Sequence, residues 1–201
     1  MLQASLQEDT LSLELPSSIT LKVTEEQFQE LAKANSNLRL ERTTTGELIV
    51  NPPTGGESGK RNLDISTQLG NWVETHLELG EGFDSSTGFI LPNGANRSPD
   101  ASWVSRERWQ SLTEIQRRGF VPLCPDFVIE LRSDSDSLPK LQAKMAEYMT
   151  NGTKLGWLID PLQKQVEIYR FSQEVEVLKN PSQLSGEDVL SGFVLILKRI
   201  I

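Results

Sequence analysis

Residues 122–138 read PLCPDFVIELRSDSDSL, and the FVIEL segment at residues 127–131 decides the fold. It has the length and the aromatic and β-branched content of a buried strand. Yet Glu130 stands inside it. Successive strand residues point to opposite faces, so Phe127, Ile129 and Leu131 share one side and Asp126, Val128, Glu130 and Arg132 the other. Burying an unpaired carboxylate is costly enough that the group neutralises, finds a cation or binds a metal. Two readings follow. Either Glu130 and Arg132 face water on a half-exposed strand, or Glu130 is a carboxylate ligand on a rigid central strand. Asp126 is likewise open between a strand-start residue satisfying loop amides and a second metal ligand.

Outward from this strand, Leu138, Leu141, Met145, Tyr148 and Met149 recur at helical spacing and predict an amphipathic helix stopped near Gly152. KLGWLID, QVEIYRF and EVEVL follow as strands, with a turn at Asp160-Pro161 between the first two, and GFVLILKRI reads as a closing strand. Upstream, SPDASWVS is a strand, and SRERWQSLTEIQRRGF is a short helix with an exposed connection. Ile65, Leu69, Trp72, Val73 and His76 predict a helix running to about Leu79 after the glycine-rich TGGESGKRN. LRLERTTTGELIVNPP reads as a hairpin ended by Pro52 and Pro53. Thr24 opens a capping box, TEEQ, and with it a helix to about Lys33. Residues 1–20 are a polar arm with a short strand expected near LSLEL, and residues 21–201 are expected to form a single domain. Helix, strands, helix, strands describes a mixed sheet with helices against it, an α/β (α+β) fold.

The 201 residues suit one domain with a real core. No apolar run approaches the roughly 20 residues of a membrane span, and MLQASLQEDT lacks the basic and apolar parts of a secretory leader. Cys124 is the sole cysteine, which excludes an internal disulfide and suits a reducing, cytoplasmic setting. The net charge of −8 argues against a protein that coats nucleic acid by electrostatics alone. It leaves room for an enzyme whose acidic site holds a metal, with a local basic patch around Arg106, Arg108, Arg117 and Arg118.

Two further carboxylates lie on neighbouring elements. Asp100 follows Pro99 at the start of the preceding strand, and Glu57 opens the helix before it. Three such groups could converge on one hard cation. Mg²⁺ takes oxygen ligands, keeps several waters and is often held by one or two carboxylates plus a substrate phosphate. This is equipment for metal-assisted phosphodiester hydrolysis.

The element order, with PD on one strand and Glu-x-basic on the next, resembles the PD-(D/E)XK nuclease core. PPTGGESGKRN, ILPNGANRSPDASWV, GFVPLCPDFVIELRSDSDSL, KMAEYMTNGTKLGWLIDP and LSGFVL resemble the restriction-endonuclease-like family expanded in cyanobacteria, over about residues 35–198. The resemblance implies a Mg²⁺-dependent DNA endonuclease, with Mn²⁺ as a substitute metal. It makes Asp100 and Glu130 the metal pair and Glu57 an acidic site residue. A homodimer is expected by analogy, because cutting both strands needs two sites. The alternative is a catalytically inactive DNA- or partner-binding module of the same fold. Arg132 departs from the lysine of the superfamily motif: arginine can hold phosphate but makes a poor base. Lys144 lies about a quarter turn from the apolar centre of its helix, on the side of Tyr148, and could supply that charge instead. Its alternative is a surface lysine, and Arg132 is its rival for phosphate contact. KMAEY resembles a recurrent lysine-containing helix of the family at this place.

Other candidates carry less. His76, the sole histidine, sits on an apolar helix face and argues against a zinc cluster. Cys124 reads as an inert thiol, residues 133–137 as a loop and N-cap, and the tryptophans as packing residues. TGGESG lacks the Gly-Lys-Ser/Thr of a nucleotide phosphate loop.

Overall fold

The computed structural model describes residues 19–201. The polar arm and the LSLEL strand fall almost wholly or wholly outside these residues. Helix α1 (Glu25–Ala34) starts on the Thr24 capping box, with Gln27 reciprocating. Strands β1 (Arg39–Arg42) and β2 (Leu48–Asn51) form the expected antiparallel hairpin. Helix α2 (Gly56–Glu74) ends with Thr75 as C-cap, earlier than the expected Leu79, and leads into β3 (Gly80–Asp84). Short strands β4 (Phe89–Ile90) and β5 (Asn96–Arg97) precede β6 (Ala101–Ser105). The arginine-rich segment holds two short helices, α3 (Arg106–Gln110) and α4 (Glu114–Arg118). Strand β7 (Phe127–Leu131), helix α5 (Leu138–Thr150) and strands β8 (Leu155–Asp160), β9 (Gln165–Arg170) and β10 (Glu176–Lys179) follow. The closing segment is not one long strand. It pairs β12 (Val194–Ile196) with β11 (Gln183–Ser185) in a small separate hairpin.

Six strands form the main mixed sheet in the order β10-β9-β8-β7-β6-β3. Only β7 and β8 are parallel, and α5 makes the crossover that such a pair needs. One face carries Ile65, Leu69, Trp72 and Val73 of α2 against Phe127, Ile129 and Leu131, closed by Leu195 and Leu197 near the C-terminus. The other face carries Val128 against Met145 and Tyr148 of α5. FVIEL is therefore buried on both faces, which removes the half-exposed reading of Glu130. Gly156 on β8 lets α5 approach: a Cβ there would lie 2.6 Å from Met145 Cε and 3.3 Å from Val128 Cγ2.

A second, four-stranded sheet, β2-β1-β5-β4, is not evident in the sequence pattern. It recruits the N-terminal hairpin through the Arg42–Asn96 pairing. Its Phe89, Leu91 and Ala95 join the α5 side of the core. This placement carries β1 to the polar side of Glu130.

Candidate active site

The β6–β7 register pairs Ala101 with Ile129 and Ser102 with Val128. Asp100, one residue ahead of β6, continues that register opposite Glu130, and its N–H donates to Ile129 O at 3.0 Å. The two carboxylates therefore share one face of the sheet, as strand alternation requires. Both are buried. Asp100 Oδ2 accepts from Leu131 N at 2.8 Å, and Oδ1 accepts from Arg39 Nη1 at 3.0 Å. Glu130 Oε1 accepts from Tyr148 Oη at 3.0 Å and lies 2.8 Å from Lys144 Nζ.

Lys144 is thus on the inner flank of α5, beside Tyr148, and not at the surface; its side chain is 11% exposed. Its ammonium also donates to Glu41 Oε1 at 2.9 Å and to Ser98 O at 3.4 Å. Glu41 Oε2 meets Arg97 Nη1 at 3.2 Å, and Arg97 Nε meets Glu147 Oε2 at 2.5 Å. Glu41, Arg39 and Arg97 are the site residues that the sequence reading missed. The signal was available: Arg39 and Glu41 stand two apart in RLER, on one face of a strand, as Glu130 and Arg132 do. What was not legible is that the hairpin packs against α5, 103 residues away in sequence.

Four carboxylates (Glu41, Asp100, Glu130, Glu147) here meet three cations (Arg39, Arg97, Lys144), most of them buried. The surplus falls on Glu130. Burial, with Asp100 and Glu41 nearby, pushes its carboxyl up to about 7 against the pull of Lys144. Burial also works against ionised Glu41, but Lys144 and Arg97 outweigh it and hold that carboxyl below its usual range. Lys144, despite burial, is held above the usual lysine range by Glu130 and Glu41, so it is a firm ammonium and not a neutral base. Burial and the same two carboxylates push the Tyr148 phenol well up, which leaves it a hydrogen-bond donor.

Three expected contributors stand outside this cluster. Glu57 does not join Asp100 and Glu130. It is exposed on the first turn of α2, which covers the opposite face of the sheet, and pairs with Lys60 at 2.8 Å and Arg61 at 4.0 Å. Among the described residues no three histidine, cysteine or acidic groups stand close enough to hold one metal together. Arg132 leaves the site: Nη1 pairs with buried Asp160 at 2.7 Å, and Nε donates to Asp136 O at 3.3 Å. The arginines of α3 and α4 are also committed. Arg106 pairs with Glu81, Arg108 with Asp126 and Arg118 with Glu114, while Arg117 lies over the Trp109 ring. Asp126 follows the strand-start reading, with Oδ2 accepting from Ser105 N at 2.9 Å.

A family model described as Uma2, putative restriction endonuclease, matches residues 25–198. The chain belongs to the Uma2 family. Among solved structures, a crystal structure described as a putative nuclease belonging to DUF820, from Anabaena variabilis ATCC 29413, is similar with a TM-score of 0.67 and 24% identity. The match covers 80% of this chain and 88% of that one. At that identity the likeness establishes a shared fold, and the fold is restriction-endonuclease-like. No curated protein matches. The Uma2 match spans every residue of the Asp100–Glu130–Lys144 cluster, including Glu41 on β1.

Proposed function

We propose that this Uma2 protein is a Mg²⁺-dependent DNA endonuclease in which Asp100 and Glu130 hold the metal and Lys144 assists at the phosphate. The observation that carries this reading is the Lys144 ammonium, 2.8 Å from Glu130 on a strand register that sets Asp100 opposite. The donor set fits a hard divalent cation. It offers carboxylate oxygens with lone pairs left after the Arg39 and Leu131 contacts, and one negative charge more than its cations neutralise. Two carboxylates suffice where waters and a substrate phosphate complete the shell. Bound there, Mg²⁺ would lower the pKa of a water and neutralise charge on the attacked phosphate.

The chain's own groups divide the remaining work. Asp100 is fixed by Leu131 N–H and Arg39, so its carboxylate is preorganised. Tyr148 orients Glu130 through Oε1. Lys144, anchored by Glu41, presents a permanent positive charge to developing phosphate charge without being drawn away. Glu57 and Arg132 have no part in this arrangement.

The second reading, an inactive DNA- or partner-binding module, is favoured by one contact: Arg39 already neutralises Asp100. Calorimetric titration with Mg²⁺ and Mn²⁺ beside a plasmid-nicking assay separates the two. Metal binding with metal-dependent nicking is expected; neither, in a folded protein, would leave the module reading in place.

A further inference from the structure

We propose that a cationic cleft between the start of α2 and residues 198–201 holds the phosphodiester backbone of the DNA; this rests on the nuclease reading above. The cleft has a volume of about 370 Å³ and brings together Lys60, Arg61, Lys198 and Arg199. Against these four cations stand Glu57, paired with Lys60 and Arg61, and Asp64, 3.2 Å from Arg199. Lys198 has no carboxylate within ion-pair distance among the described residues. The cleft thus carries a surplus of positive charge on a chain whose net charge is −8.

The Lys60–Glu57 pair is solvent-facing on both sides, and Arg199 is 67% exposed although its partner Asp64 is largely covered. Such pairs contribute roughly 0–1 kcal/mol each and exchange readily for a phosphate. The apolar lining is limited to Ile200 and Ile201, so the cleft lacks the enclosing apolar wall of a small-molecule pocket.

Leu69 and Val73, near the end of α2, pack over Gly82 in the middle of β3, whereas the cleft is lined by the first turns of the helix, at its other end. A backbone held by the cleft would offset the repulsion between phosphates and an acidic protein.

The test is fluorescence anisotropy of a short labelled DNA duplex with the full chain, metal-free so that nothing is cut. It compares the unaltered protein with Lys60→Ala/Lys198→Ala across a salt series. The double variant should bind about tenfold more weakly, and its slope of log K against log salt should be shallower by about two, one per lost phosphate contact. Its melting temperature and Mn²⁺ isotherm should not change. An unchanged affinity and slope would overturn the proposal, as would absence of duplex binding by the unaltered chain. The two readings fail separately. Cleft-dependent binding without nicking would sink the nuclease and keep the cleft; parental nicking and binding by the double variant would sink only the cleft.

Discussion

At the residue scale, the proposed function rests on where one ammonium is held. Lys144 sits between Glu130 and Glu41, so Lys144→Ala leaves two buried carboxylates facing each other. Removing one partner of a buried pair costs about 3–5 kcal/mol. The metal-free variant should therefore melt at a lower temperature, and Mn²⁺ should restore part of the loss. It should still bind Mn²⁺ yet nick plasmid about 100-fold more slowly, the scale of one lost electrostatic contact at developing charge. Arg132→Lys, whose side chain meets Asp160 and not the site, should nick at close to the parental rate. Full activity in Lys144→Ala, with loss in Arg132→Ala, would hand the role to Arg132. Cys124 is a second residue-scale case. It is buried, with Sγ 3.2 Å from Thr153 Oγ1, and burial pushes its thiol up to about 11. Ellman's reagent at pH 8 should leave it unmodified until the protein unfolds, and rapid modification of the native protein would contradict its burial. The helix geometry placed Lys144 on the correct flank, because 100° per residue fixes direction around a helix axis. It could not name Glu41, because nothing local tells a hairpin which helix it will cover.

At the element scale, strand alternation was the most informative feature. It separated Phe127, Ile129 and Leu131 from Val128 and Glu130 as the two cores require, while the Asp100–Glu130 pair was legible only through the family resemblance and is set by the β6–β7 register. Its failures came where an element's end, and not its face, decides the contact. Arg132 lies beyond β7 and turns to Asp160, and Glu57 lies on the overhanging first turn of α2. The closing segment was overextended because GFVLILKRI has strand composition, yet only Val194–Ile196 find a partner. Asp126 shows what an element end can do. It ties Ser105 N, Arg108 at 3.1 Å and Lys154 at 3.0 Å, joining the ends of β6, α3, β7 and β8. Burial works against its charge, but the Ser105 N–H, Lys154 and Arg108 outweigh it and hold the carboxyl below its usual value. A depressed folded-state pKa contributes stability above the unfolded value of about 3.9, and that stability is lost as pH falls through the folded value. Asp126→Asn should thus destabilise the protein at pH 7 by about 3 kcal/mol. The gap to the parent should close below about pH 4 in urea titrations. A gap that stays constant from pH 7 to pH 3 would assign the effect to packing and not to charge.

At the scale of the whole molecule, the mixed sheet flanked by helices was legible, and so was the family, because its motifs run along nearly the whole chain. The four-stranded second sheet was not. Strands of two residues, such as β4 and β5, carry no periodicity to read, and their pairing with the N-terminal hairpin is entirely long-range. That sheet completes the site, since it delivers Arg39, Glu41 and Arg97 to α5 and Asp100. The acidic net charge, read as evidence against a nucleic-acid-coating protein, is compatible with a local cationic cleft and a carboxylate-rich site elsewhere. The measurement that bears most directly on this account is the nicking of supercoiled plasmid by the parent and by Glu130→Ala, each with Mg²⁺, with Mn²⁺ and with EDTA. The account predicts nicking by the parent only when a divalent metal is present, and none by the folded variant under any condition. Nicking in EDTA, or undiminished metal-dependent nicking by Glu130→Ala, would contradict it.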